Sequence, residues 1–323
     1  MRTPDAIRGY RENVQSSIAL EYPARETGMD SAGRFGQDTA MLIAQITDIH
    51  LGFEPDNASE ANRLRLDRVI AALHVLSPQP DFLLVTGDIA DRGTAKAYAQ
   101  FREAISALTY PVYCCPGNHD RRENFRAALP QPGALPGFVQ YGFDVGELRV
   151  LVLDTLEEGH HGGGFCEARV AWLKEQLAQY SERPTLIAMH HTPIATGIAW
   201  MDPAPAAPWI ERLGQIIRGH GQIVKIVCGH IHRPIAAQWQ GHGLVVCCAT
   251  AAQLSLDFAP IDPDAPDGRA MLTDAPPAFA LHHWNGRELV THFGVAQYEQ
   301  VLAAYDEDMQ PLVRKVAQER ETG

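Results

Sequence analysis

The sequence has no Cys-x-x-Cys motif, no run of basic residues, no apolar stretch as long as about 18 residues and no internal repeat. Each absence removes a class of protein. Without paired cysteines at short spacing, a structural zinc knuckle is not expected. The six cysteines include two adjacent pairs, Cys114-Cys115 and Cys247-Cys248, set in apolar strand-like runs. Such residues read as buried thiols in a reduced, cytoplasmic setting. Without a long apolar run there is no membrane-spanning helix, and the stretch from Met1 to Asp30 carries charges of both signs with no apolar core of the kind a secretory leader needs. The formal net charge is -12, which disfavours binding of long nucleic acid through its phosphates. A small phosphorylated substrate stays open, because bound cations can dominate the local charge.

What is present is a large apolar share, 46 % of 323 residues, enough for a large α/β core. Residues 1 to about 40 read as a polar, partly ordered extension with a weak helix from Ile7 to Leu20, then a linker containing Gly28, Gly33 and Gly36. From Met41 the pattern becomes strand, polar cluster, helix, repeated. Strands are expected at Met41 to Ile46, Asp81 to Thr86, Pro111 to Cys115, Leu148 to Asp154, Thr185 to Met189, Ile223 to Cys228 and Gly243 to Cys248. Helices are expected at Arg63 to Leu76, after Thr94 as cap, at Glu167 to Tyr180 and at Trp209 to Arg218. Residues 257–277 read as a long irregular insertion, followed by a hairpin around Asn285-Gly286 and a last helix interrupted by Pro311. Alternating strands and helices imply a mostly parallel sheet, with ligands outside the carboxyl ends of its strands.

Five of those ends carry metal-ligand residue types. They are Asp48 and His50, Asp88, Asn118 with His119, His190 with His191, and His230 with His232. An isolated Asp-x-His is a weak signal. In extended chain Asp48 and His50 would point to one side and meet one ion. A Gly-rich loop with His160 and His161 reads as solvated. Seven oxygen and nitrogen donors from among these residues suit two first-row ions, with Asp88 able to bridge them. Two such ions would acidify a trapped water or hydroxide for in-line attack on phosphorus.

The motifs Asp48-x-His50, Gly87-Asp88, Gly117-Asn118-His119-Asp120, His190-His191 and Gly229-His230-Ile231-His232 resemble the signature of the calcineurin-like metallophosphoesterase superfamily over roughly residues 41 to 250. Gly87 to Gly93 and the segment from His190 to Asp202 further resemble the class III cyclic-nucleotide phosphodiesterases and their glycerophosphodiesterase relatives. The resemblance implies a four-layer αββα sandwich of two mixed sheets. It implies a catalytic domain at 41–256, and an insertion, hairpin and tail at 257–323 forming a cap or a contact in a homo-oligomer. It implies one ion on Asp48, His50, Asp88 and His232, and a second on Asp88, Asn118, His190 and His230, drawn from iron, manganese, zinc or cobalt.

On the same ground His119 is the expected acid beside the phosphate, with Asp120 holding its ring. Asn118, His119 and His191 are expected substrate contacts, His191 by orienting a neighbour. The implied activity is hydrolysis of a small phosphodiester, with a phosphomonoesterase or a non-catalytic scaffold as alternatives. Two departures bear on substrate preference. Thr192 stands where many relatives have proline, and Ala252 stands where the glycerophosphodiesterase relatives carry a histidine.

Overall fold

The computed structural model describes residues 40–322 apart from 56, 58, 132, 205, 298 and 299, so the helix expected at Ile7 to Leu20 lies outside the described residues. Two mixed sheets lie back to back. In the first, β1 (Met41–Ile46) runs parallel to β2 (Phe82–Thr86), which runs parallel to β3 (Val112–Cys115). In the second, β4 (Tyr141–Val145) is an antiparallel edge beside β5 (Leu148–Val152), followed by β6 (Thr185–Ala188), β7 (Ile223–Cys228), β9 (His242–Val246) and β8 (Ile235–Trp239).

The alternation of side chains along the second sheet explains why it is buried on both faces. Val150, Val152, Leu186, Ala188 and Val227 join the core of the first sheet, while Leu151, Ile187 and Ile226 pack toward helices α4 (Glu167–Gln179) and α5 (Pro208–Ile217). Outside the first sheet lie α1 (Ala61–His74), α2 (Ala95–Ile105) and the short α3 (Arg122–Ala128). On α1, Leu66, Val69, Ile70 and Leu73 form the inward face. Each such side chain contributes about 1.5–3 kcal/mol on burial. Thr94 caps α2 by accepting from the Ala97 amide at 3.2 Å. The result is the expected αββα sandwich.

Other elements differ from the sequence reading. The strands β4 and β8 and the helix α3 had no expected counterpart. Both strands are sheet edges with half-exposed residues, and α3 buries only Phe125. The hairpin around Asn285-Gly286 forms from β12 (Ala278–Trp284) and β13 (Leu289–Val295), and β12 pairs antiparallel with β1. This places 278–295 in the first sheet itself. The 257–277 excursion is closed at its base by a two-residue ladder, β10 (Gln253–Leu254) against β11 (Leu272–Thr273). The final helix, α6 (Gln310–Thr322), is not interrupted by Pro311 but contains it in the first turn, where a missing N–H leaves no bond unmade.

Candidate metal centre

The carboxyl ends of β1, β2, β3, β6 and β7 meet along one edge of the sandwich. Asp48, His50, Asp88 and Asn118 come from the first sheet, and His190, His230 and His232 from the second. The expectation that Asp48 and His50 meet through extended chain is corrected here. Strand β1 ends at Ile46, and both residues adopt left-handed backbone, φ 51° and 52°. Asp88, His230 and His232 do the same, at 51°, 75° and 51°. Left-handed backbone costs a residue with a Cβ roughly 1–2 kcal/mol, so its gathering at five candidate ligands marks a shape imposed by the surrounding fold. Gly117 serves the same packing, since a Cβ there would lie 2.2 Å from Asp88 Oδ1.

The polar atoms converge on two adjoining points. Asp48 Oδ1 lies 3.3 Å from His232 Nε2, and His232 Nε2 lies 3.2 Å from His50 Nε2. Asp88 Oδ2 is 3.7 Å from His50 Nε2 and 3.4 Å from His190 Nε2, so one oxygen faces both groups. On the second side, His190 Nε2 is 3.1 Å from Asn118 Oδ1, and the His190 and His230 rings are 5.1 Å apart. Each carboxylate commits its other oxygen to the backbone. Asp48 Oδ2 accepts from the His230 amide at 2.9 Å, and Asp88 Oδ1 from the His119 amide at 2.8 Å.

The imidazoles are aimed by their outer nitrogens. His190 Nδ1 donates to the Thr86 carbonyl and His232 Nδ1 to the Ala252 carbonyl, both at 2.7 Å. A carbonyl can only accept, so each bond fixes the proton on Nδ1 and turns a lone pair on Nε2 inward, the arrangement usual for metal-binding histidines. His191 is different. Its Nε2 donates to the His161 carbonyl at 3.2 Å, which leaves Nδ1 to accept from the Thr155 hydroxyl at 2.8 Å. Both nitrogens are used, so His191 is buried beneath the centre and holds the loop of His161. That loop is exposed at His160 and His161, as expected, and it also brings the His161 ring 4.8 Å from that of His230.

Asp120 does not hold His119. Its carboxylate accepts from the amides of Ile89, Ala90 and Gly117 at 3.3, 3.1 and 2.9 Å, and from Tyr98 Oη at 2.8 Å. Those donors saturate a fully buried group and pin the β3 loop to the β2 loop. The residue beside His119 is Asp91, which sequence reasoning missed. Its carbonyl accepts from His119 Nδ1 at 2.9 Å, and its Oδ1 lies 3.3 Å from His50 Nδ1. The sequence signal was its place within the Gly87 to Gly93 segment, three positions after Asp88.

The carboxylates and imidazoles of the cluster shift one another's protonation. Burial pushes the Asp48 and Asp88 carboxyls up. His232 and His190 outweigh this at Asp48, and His190, His50 and His119 at Asp88, so both carboxyls rest below the usual range. Burial disfavours charge on His190, but Asp88 and Asp48 raise it to about 9. Asp48 likewise raises His232 against burial. Burial and neighbouring imidazoles push His191 down to about 3 and keep His230 well below its ordinary value. Asp48 Oδ1 is buried with no hydrogen-bond partner. An unpartnered buried carboxylate oxygen among inward-facing imidazoles fits a cation.

A sequence profile described as calcineurin-like phosphoesterase matches residues 41–234. The chain belongs to that family. Among calcineurin-like phosphoesterases, it is 32 % identical to the glycerophosphodiester phosphodiesterase GpdQ of Enterobacter lignolyticus, over 78 % of this chain and 90 % of that protein. It is 30 % identical to the 3′,5′-cyclic adenosine monophosphate phosphodiesterase CpdA of Escherichia coli K12, over 67 % of this chain and 78 % of that one. The crystal structure of a dimetal phosphatase from Danio rerio superposes with a TM-score of 0.59, covering 80 % of this chain and 98 % of that chain at 15 % identity, a likeness of fold. Calcineurin-like phosphoesterases use dinuclear metal centres, and the His and Asp groups of this chain fit that use.

Proposed function

We propose that this protein is a dinuclear metal-dependent phosphodiesterase acting on a small diester of the cyclic-nucleotide or glycerophosphodiester kind. The observation that carries the reading is Asp88 Oδ2, one carboxylate oxygen shared by two donor groups. One ion falls to Asp48, His50, Asp88 and His232, the other to Asp88, Asn118, His190 and His230. Iron, manganese, zinc and cobalt all suit these donors. When bound, the ions supply positive charge to the phosphate and acidify water for attack on phosphorus.

The side chains do the positioning. The Asp91 carbonyl anchors His119 Nδ1, so the ring is held with Nε2 free to meet a phosphoryl or departing oxygen. His191 holds the His161 loop over the His230 side. The names of the relatives support a diester. Of the arginines near the motifs, Arg122 is committed to Asp154 at 2.8 Å, Arg233 to the Leu254 carbonyl and Arg121 to the Asp120 carbonyl, while Arg92 stays exposed beside Asp91. A dianionic monoester would call for a further cation of that kind. The test is hydrolysis of bis(4-nitrophenyl) phosphate against 4-nitrophenyl phosphate after loading with Mn²⁺. Diester turnover is expected, and turnover of the monoester alone would transfer the reading to a phosphomonoesterase. A wild-type protein that takes up no ion would instead support a non-catalytic scaffold.

No described helix is long and apolar enough to cross a membrane. The thiols are free, in accord with a cytoplasmic location. A homo-oligomer is supported by exposed apolar residues on β13 (Val290, Phe293, Val295) and α6 (Leu312, Val313, Val316).

A further inference from the structure

Residues 250–252 bracket one of the two donor groups. The Thr250 amide donates to the Thr47 carbonyl and the Ala251 amide to the Asp48 carbonyl, both at 2.9 Å. The Ala252 carbonyl accepts from His232 Nδ1 at 2.7 Å. The bracket therefore sets both the backbone of Asp48 and the ring of His232, two donors of the same proposed ion.

Its remaining carbonyls both accept from one side chain, the Ala251 carbonyl also accepting from Gln253 Nε2 at 3.5 Å. Arg65, on α1, donates from Nε to the Thr250 carbonyl at 3.0 Å and from Nη2 to the Ala251 carbonyl at 2.9 Å. The same Nη2 donates to the carbonyl of Ala275 at 2.5 Å. Ala275 lies at the returning end of the 257–277 excursion, just beyond β11. One guanidinium thus ties the bracket to the excursion, with α1 as the base. The same helix reaches the centre again through Asn62, whose Nδ2 donates to the His50 carbonyl at 2.9 Å. A planar fork with fixed donors can hold three carbonyls in one geometry, which a lysine ammonium cannot reproduce.

We propose that Arg65 is a positioning residue that couples the Asp48–His232 side of the centre to the 257–277 excursion, so that ion binding there and ordering of the excursion favour one another. The coupling rests on the metal reading above. It is reciprocal by linkage: whatever the ordered excursion adds to ion affinity, the ion adds to the order of the excursion.

The experiment measures Mn²⁺ binding by calorimetry and amide hydrogen exchange of residues 271–277 with and without Mn²⁺, in the wild type, Arg65→Lys and Arg65→Met. In the wild type, two ions bind and exchange in 271–277 slows when they do. In Arg65→Lys, one of the two dissociation constants rises about tenfold, the scale seen when a residue supporting a metal ligand is lost. The other constant stays unchanged, and the ion-dependent protection of 271–277 disappears. Arg65→Met gives the same pattern more strongly, and if it does not fold, Arg65→Lys decides. Two unchanged constants with intact protection in Arg65→Lys would overturn the coupling, even if its thermal midpoint fell, because that pattern belongs to a plain structural anchor. A wild-type protein that binds no Mn²⁺ would overturn the metal reading and the coupling together.

Discussion

The Nε2 atoms of His50 and His232 face each other across 3.2 Å, although the two residues stand 182 positions apart. Two inward lone pairs at that separation repel unless a proton or a cation lies between them. Metal-free, the cluster retains protons, since Asp88 and Asp48 raise His190 to about 9 and Asp48 raises His232. Loading must expel them. Ion affinity should therefore climb with pH through the neutral range and level off as pH passes about 9. Calorimetry in buffers of different ionisation enthalpy should show net proton release at pH 7. Binding heats independent of the buffer would count against an ion seated at these imidazoles.

Asp91 supports two rings at once, so its loss should be felt in two ways. In Asp91→Ala the His50 ring loses its carboxylate partner at 3.3 Å. Affinity for one ion should fall about 10–100-fold. Turnover at saturating metal should fall as well, because the loop that carries the carbonyl under His119 is no longer held by that carboxylate. Asp91→Asn, which keeps an oxygen, should recover part of both. The check is titration with Mn²⁺ alongside kcat for a chromogenic diester; wild-type values for both in Asp91→Ala would remove Asp91 from the centre.

His282 makes stability depend on pH away from the centre. It is fully buried, with Nε2 donating to Gln45 Oε1 at 3.0 Å and Nδ1 accepting from Thr291 Oγ1 at 2.9 Å. Burial, assisted by Lys225, holds it down at about 3. The depressed value means that the unfolded chain takes a proton before the native one does. Stability from the neutral ring is therefore complete above the unfolded pKa of about 6.5 and is lost as pH falls below it, by up to about 1.4 kcal/mol per pH unit. His282→Gln should be less stable than wild type at pH 7.5, with the gap narrowing from about pH 6.5 downward. Urea midpoints measured across that range would show it, and a constant gap would contradict the assignment.

The exposed apolar residues of β13 and α6 should matter only between copies. Deleting residues 309–323 should lower the mass measured by light scattering toward the monomer while leaving diester turnover per chain within about twofold, as expected when no active-site group is touched. A full-length protein already monomeric at micromolar concentration would exclude the oligomer.

The donors were legible because each follows an apolar run that reads as a parallel strand, including β3 at the edge of its sheet, and parallel strands present their carboxyl ends to ligands. β4 and β8 were not, since an edge strand such as Ile235–Trp239 need not be apolar on both faces. Nor does any periodicity announce that Asp48 or His232 will adopt left-handed backbone. That shape comes from the loop packing of two sheets. The partner of His119 was misread for a related reason. Asp120 follows it directly in the chain, but the turn after β3 sends that carboxylate down onto buried amides and Tyr98, whereas Asp91 arrives from a different strand end. Adjacency in sequence was a poor guide where the chain reverses.

The division of the donors between the two sheets has a mechanical consequence. Four are carried by one half of the sandwich and three by the other, so an ion held by Asp88 and His190, or by Asp48 and His232, would work as a rivet through the seam between halves. Chelation should then do more than silence the enzyme. It would loosen the upper margin of the whole molecule, and the strength of that seam would follow the metal supply of its surroundings.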